Sequence, residues 1–175
     1  MDSRIESIKA RIRDVPDFPK PGIVFKDITP LIGHGPSLRM CIDLLEDRFR
    51  AEKADLIIGI ESRGFIFGAA LADRLGLGFV PVRKPGKLPY RTTRETYSLE
   101  YGSDALEMHE DAVEGQRCLV IDDLLATGGT AAATGRLVDR LGGKVVGFSF
   151  VIELDFLAGR RKLDGHPIFS LIRYA

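Results

Sequence analysis

Apolar positions along the chain keep two different rhythms. The runs ADLIIGI (54–60), LGFVPVRK (77–84) and RCLVIDD (117–123) are nearly continuous and of strand length, which predicts strands buried on both faces. KVVGFSFVIEL (144–154) predicts a fourth strand and PIFSLIRY (167–174) a last one. Elsewhere the apolar residues fall three and four apart, the spacing of one helix face. Ile5, Ile8, Ile12 and Val15 do so after a Ser3/Glu6 pair that resembles a capping box. Leu38, Cys41, Ile42, Leu45 and Phe49 mark a longer helix. FIFGAALADRLG (65–76) predicts a helix closed by Gly76, TAAATGRLVDRLGG (130–143) another, and DFLAGRRKL (155–163) a short one.

Two stretches break both rhythms. Pro16, Pro19 and Pro21 stop the first helix and force an extended segment, PDFPKPGIVFKDITP (16–30). PGKLPYRTTRETYSLEYG (85–102) is polar and long. Its end alternates, with Tyr97, Leu99 and Tyr101 between Ser98 and Glu100, so it predicts a loop that finishes as a strand. ALEMHE (105–110) is expected to pair back with it.

Strands alternating with helices predict an α/β fold, a central mostly parallel sheet flanked by helices. One domain over 1–175 is expected, with 13–36 as a small N-terminal hood and 84–101 as a flexible loop. In such sheets ligands bind beyond the carboxyl ends of strands. That rule gathers ESRG (61–64), VRKPGK (82–87) and DDLLATGGT (122–130) at one rim.

Composition narrows the function. The 25 Lys+Arg and 25 Asp+Glu cancel, so the chain lacks the basic excess of a nucleic-acid binder. No apolar run reaches the roughly 20 residues of a membrane helix, and the start has no signal-peptide core. A soluble protein of the cytoplasm is expected. Cys41 and Cys118 sit in apolar runs and read as reduced core thiols. His34, His109 and His166 have no triad or metal spacing and read as surface or loop residues.

The chemistry concentrates in VIDDLLATGGT (120–130). Ala126, Thr127, Gly128, Gly129 and Thr130 form a small-residue loop whose backbone N–H groups can converge on a phosphate at a helix start. Two other phosphate loops are excluded. No Gly-Lys is followed by Ser or Thr as a P-loop requires, and no GxGxxG is complete. Beside the loop stand Asp122 and Asp123. Two carboxylates at a strand end can bind a metal, act as acid or base, or accept from hydroxyls. The cis diol of a phosphorylated ribose fits best, because an ionised carboxylate only accepts and the diol donates.

At this point the sequence resembles a family. VIDDLLATGGT looks like the phosphoribosyl-diphosphate (PRPP) motif of the phosphoribosyltransferases, and its DLLATGGT form is similar to the adenine-specific branch. DFPKPGIVFKDITPL, GIESRGFIFG, VRKPGKLP and YSLEYG follow that family's order around the motif, so the resemblance covers nearly the whole chain. It implies the type I phosphoribosyltransferase fold, Mg²⁺ held mainly by substrate and water without dedicated protein ligands, a homodimer, and the small-molecule substrates adenine and PRPP.

The resemblance also implies roles. Asp122 and Asp123 would hold the ribose and 126–130 the 5-phosphate. Glu61, Ser62, Arg63 and Gly64, with a cis peptide between Glu61 and Ser62, would form the pyrophosphate loop, joined by Arg83, Lys84 and Lys87. Glu100 and Tyr101 would enter the closed site as catalytic residues with Arg63, Glu100 near the purine imidazole edge. Phe25 would stack on adenine, with Leu124 or Leu125 on its other side, and backbone groups near Val24 and Lys26 would read the 6-amino edge. Lys26 stands where arginine is common, and Ala131-Ala132 where a bulkier pair is usual. Two alternatives stay open: another acceptor base, such as hypoxanthine, xanthine or orotate, or a PRPP-sensing regulator on the same fold.

Overall fold

The computed structural model describes residues 2–98 and 102–175. They divide into two compact units, Met1–Arg48 and Phe49–Ala175.

The first unit holds α1 (Ser3–Lys9), β1 (Arg13–Pro16), β2 (Val24–Asp27), α2 (Thr29–Ile32) and most of α3 (Gly35–Phe49). Helix α1 is shorter than its spacing predicts. Asp2, not Ser3, is its cap, accepting from Arg4 N at 2.9 Å. The chain leaves the helix after Lys9, and Val15 lies in β1 because residues 13–16 pair antiparallel with residues 24–27. Ion pairs hold that ribbon: Arg13 Nη2 to Asp27 at 2.5 Å and Lys26 Nζ to Asp14 at 2.6 Å. Along α3, Cys41, Ile42, Leu45 and Phe49 are buried as expected.

The second unit is built on a five-stranded parallel sheet in the order β4-β3-β7-β8-β9. These strands are β3 (Leu56–Ile60), β4 (Gly78–Val82), β7 (Arg117–Leu125), β8 (Lys144–Leu154) and β9 (Ile168–Tyr174). Helix α4 (Gly64–Leu75) follows β3 and ends at left-handed Gly76, while α5 (Gly129–Arg140) follows β7. The antiparallel hairpin is β5 (Thr92–Ser98) with β6 (Ser103–His109).

The two helices use opposite side-chain sets of β7. Gly68 of α4 lies against Ile121, whereas Val120 shares a core cluster with Ala133 and Leu137 of α5. Tyr97, Leu106 and Met108 of the hairpin join that second cluster.

Three expectations change. The strand expected at the end of the 85–102 segment begins earlier, at Thr92, because buried Glu95 receives Arg136 and Arg140 of α5 and Tyr97 packs inward. Residues 155–163 form two 3₁₀ turns, Asp155–Leu157 and Gly159–Leu163, divided by Ala158 at φ 51°. His109 ends β6 half-buried and edges against Tyr90, so it is not a surface histidine. His34 and His166 do lie in loops. Both cysteines are buried and free, with burial raising Cys41 to about 12 and Cys118 to about 11. Among the described residues no helix is long and apolar enough to cross a membrane.

Candidate active site

The carboxyl ends of β3, β4 and β7 bring three loops to one rim. After β7 the chain turns through left-handed Gly128 (φ 76°) into α5, so the ATGGT loop sits at a helix start as its residues require. A cleft of about 70 Å³ is lined by 126–130 together with Asp122, Leu124 and Leu125. Asp122 and the glycine-threonine half of the motif therefore share one space. Leu125 also belongs to the core and is 1 % exposed, whereas Leu124 is half-buried.

Asp122 Oδ1 accepts from Asp123 N at 2.9 Å. Arg63 Nε lies 2.9 Å from Asp123 Oδ2, so the arginine of the 61–64 loop and the second acid are direct partners. Burial pushes the Asp122 carboxyl well above the ordinary carboxylate range, and the Asp123 charge adds to it. Burial raises Asp123 also, against the attraction of Arg63. The protein's own groups thus do not fully stabilise two negative charges here. Such a pair favours hydroxyl donors or a positive charge developing beside it.

Glu61, Ser62, Arg63 and Gly64 lead from β3 into α4, and the Glu61–Ser62 peptide is cis. Gly64 has no room for a side chain. A Cβ there would stand 2.9 Å from both Asp122 Oδ1 and Ile121 O. Glycine is what lets this loop approach the acids.

Glu61 does not face outward as an acid. It accepts from Lys84 N at 2.9 Å and Arg83 Nε at 3.2 Å. Burial raises its carboxyl, but these bonds outweigh burial and hold it below its ordinary value. Glu61 thereby fixes the loop carrying Arg83, Lys84 and exposed Lys87, whose carbonyl accepts from Arg83 Nη1 at 3.2 Å. Lys84 Nζ bonds Asp104 of β6.

One site residue escaped the sequence reading. Gly159, in the second 3₁₀ turn, backs the ATGGT loop. A Cβ on it would fall 2.2 Å from Ala126 O and 3.0 Å from Gly128 N, while one on Gly128 would fall 2.3 Å from Gly159 O. The Ala158-Gly159 pair after β8 was the available signal, but nothing local ties it to residue 126. Glu100 and Tyr101 lie outside the described residues. In the first unit, Val24 and Lys26 stand two apart on β2, so their backbone groups point to the same edge of the ribbon, and Phe25 meets Phe18 edge-on at 5.2 Å.

The phosphoribosyl transferase domain family matches residues 32–172. A relative from Solibacter usitatus, named adenine phosphoribosyltransferase, is 60% identical over 95% of this chain and 97% of its own length. The chain belongs to the phosphoribosyltransferase family, on its adenine phosphoribosyltransferase branch. Solved structures from that branch agree. The Thermoanaerobacter pseudethanolicus enzyme superposes with a TM-score of 0.95 at 56% identity, covering 97% of this chain and 99% of that one. The Saccharomyces cerevisiae enzyme, at 44% identity and a TM-score of 0.91 over 98% and 99% of the two chains, was solved with an imino-altritol bisphosphate and adenine. The parallel sheet and the strand-end loops of this phosphoribosyltransferase are thus the type I fold that its motif implied.

Proposed function

We propose that this protein transfers the 5-phosphoribosyl group of PRPP to adenine, giving AMP and pyrophosphate. The observation that carries the reading is the cleft shared by Asp122 and the ATGGT loop, with Arg63 of the next loop on Asp123. In the reaction a purine ring nitrogen forms a bond to ribose C1 as the bond from C1 to the diphosphate oxygen breaks. The purine's N–H proton leaves to a base, and we assign that task to Glu100.

The residues divide the substrate by charge. Residues 126–130 hold the 5-phosphate with backbone N–H groups and the α5 start. Asp122 and Asp123 accept from the ribose hydroxyls and favour the positive character that C1 gains in the transition state. The 61–64 loop, Arg63, Arg83, Lys84 and Lys87 meet the diphosphate, whose negative charge grows as it departs. Mg²⁺ supplies further neutralisation there, and a hard cation suits the oxygens of a diphosphate and water. Catalysis on this reading is positioning and electrostatics, with water kept from C1 by the segment containing Glu100 and Tyr101.

Adenine is assigned to the β2 ribbon, with Phe25 on its face. A backbone carbonyl that accepts from a 6-amino group and an N–H that donates to the ring nitrogen would both be unpaired against a 6-oxopurine. Support comes from the shared backbone edge of Val24 and Lys26 and from the adenine bound in the yeast relative. A homodimer and a role in purine salvage belong to the same proposal.

The test is nucleotide formation from PRPP and Mg²⁺ with each base supplied singly. AMP from adenine, with little product from hypoxanthine, guanine or orotate, is expected. Product from a 6-oxopurine alone would overturn the base assignment. PRPP binding without turnover on any base would favour a regulator.

A further inference from the structure

Lys84 is held by a directed chain of polar contacts. Arg83 exchanges both backbone bonds with Glu107 of β6, at 3.0 and 2.8 Å, which lays the loop after β4 against the hairpin. Lys84 Nζ then donates to Asp104 Oδ2 and lies 3.4 Å from the Tyr97 hydroxyl. Thr130 Oγ1, in the phosphate loop, donates to the same hydroxyl at 3.3 Å, and that hydroxyl donates to Asp104 Oδ2 at 3.3 Å. A phenol can accept twice and donate once, so every proton in the chain points toward Asp104. Asp104 is its terminal anion.

This anion sits within reach of ligands. Its side chain is 30% exposed and that of Lys84 40%, so another oxyanion could take the ammonium from it. A diphosphate oxygen is such an oxyanion and carries more charge. We propose that Asp104 is an internal substitute for the leaving group: it holds Lys84 in the place of a phosphoryl oxygen, yields it when the diphosphate arrives, and so sets the affinity for pyrophosphate. The proposal rests on the assignment of Lys84 to the pyrophosphate end. It also gives product release a route, because Asp104 recaptures Lys84 as pyrophosphate leaves. Tyr97 and Thr130 carry the exchange to the 5-phosphate loop.

The pairing is physically consistent. Burial alone would lower the Lys84 ammonium, yet the Asp104 bond and Tyr97 outweigh it and leave it raised. The bond from Lys84 likewise holds the Asp104 carboxyl below its ordinary value, against burial. Each charge is thus stabilised by the other, and a ligand must compete with that.

The experiment is calorimetric titration of the full chain with pyrophosphate in Mg²⁺, for the parent, Asp104→Asn, Lys84→Met and the double variant. Asn keeps the oxygen that accepts from Ala105 N at 2.8 Å, and Asp104→Ser serves as a second variant if the amide disturbs the hairpin. An exposed pair of this kind is worth little, so Asp104→Asn should tighten pyrophosphate only about two- to five-fold. The gain should vanish in the Lys84→Met background, and KM for PRPP should fall without a rise in kcat. Weaker or unchanged binding in Asp104→Asn would overturn the proposal, and so would an equal gain with and without Lys84, which would mark a general charge effect. If Lys84→Met alone leaves pyrophosphate affinity unchanged, the assignment of Lys84 fails, and the proposal with it.

Discussion

Gly159→Ala probes a residue that touches no reacting atom on the proposed reading. The added Cβ would stand 2.2 Å from Ala126 O, where ordinary contact begins near 3.4 Å. The two segments must therefore part by about 1.2 Å, and the obstacle is backbone on both sides, so no side-chain rotation relieves it. Overpacking of this kind costs roughly 1–3 kcal/mol of stability. The larger effect falls on the phosphate loop. Displacing Ala126 and Gly128 by about 1 Å can cost on the order of 100-fold in rate, because on the proposed reading positioning is the main catalytic device. Steady-state kinetics with PRPP varied at saturating adenine would show it, with a melting curve run on the same sample. The expected result is a fall of one to two orders of magnitude (~10–100-fold) in kcat/KM for PRPP in a protein that still folds. A value within about twofold of the parent would refute the contact as a determinant of the loop.

Other outcomes follow from the same geometry. Asp123→Asn removes the charge that Arg63 meets at 2.9 Å and, on the proposed reading, one acceptor for the ribose, so kcat/KM for PRPP should fall about 10- to 100-fold. Unchanged kinetics would remove Asp123 from the ribose site. Glu95 is held below its ordinary 4.5 first by the bond from Arg136, against burial, and then by Arg140. Its pairing therefore contributes fully above that ordinary value and is lost as pH falls through the lowered one. Glu95→Gln should destabilise the protein by about 1–3 kcal/mol near neutral pH and flatten the fall of its melting temperature in acid, as read by calorimetry across pH.

Much of this was legible along the chain because the signals are local. Apolar runs of strand length mark β3, β4 and β7, and the glycines and threonines of ATGGT mark a strand-to-helix turn. Pairing and contact between distant segments were not legible. The spacing of Ile12 and Val15 is helical, yet Val15 pairs with Phe25, because ribbon formation outweighed a weak local preference. Nothing in LAGRR points to Ala126, and nothing in the hairpin sequence announces that Asp104 will take Lys84. The family resemblance alone assigns Arg63 to the pyrophosphate loop, and its pairing with Asp123 depends on how closely Gly64 lets α4 approach β7.

The strand order β4-β3-β7 works as a ruler. Neighbouring strands lie about 4.8 Å apart, so the span from β7 to β4 is roughly 10 Å. On the proposed reading, a donor laid along the rim would meet its sugar ligands at β7, the first leaving phosphate at β3 and the last at β4. β4 is the edge of the parallel sheet, and past its end Arg83 pairs with Glu107 of β6. On the proposed reading, a donor with a third leaving phosphate would run past β4 into the Arg83–Glu107 backbone pair, so the spacing of the strands bears on how many phosphates the rim accepts.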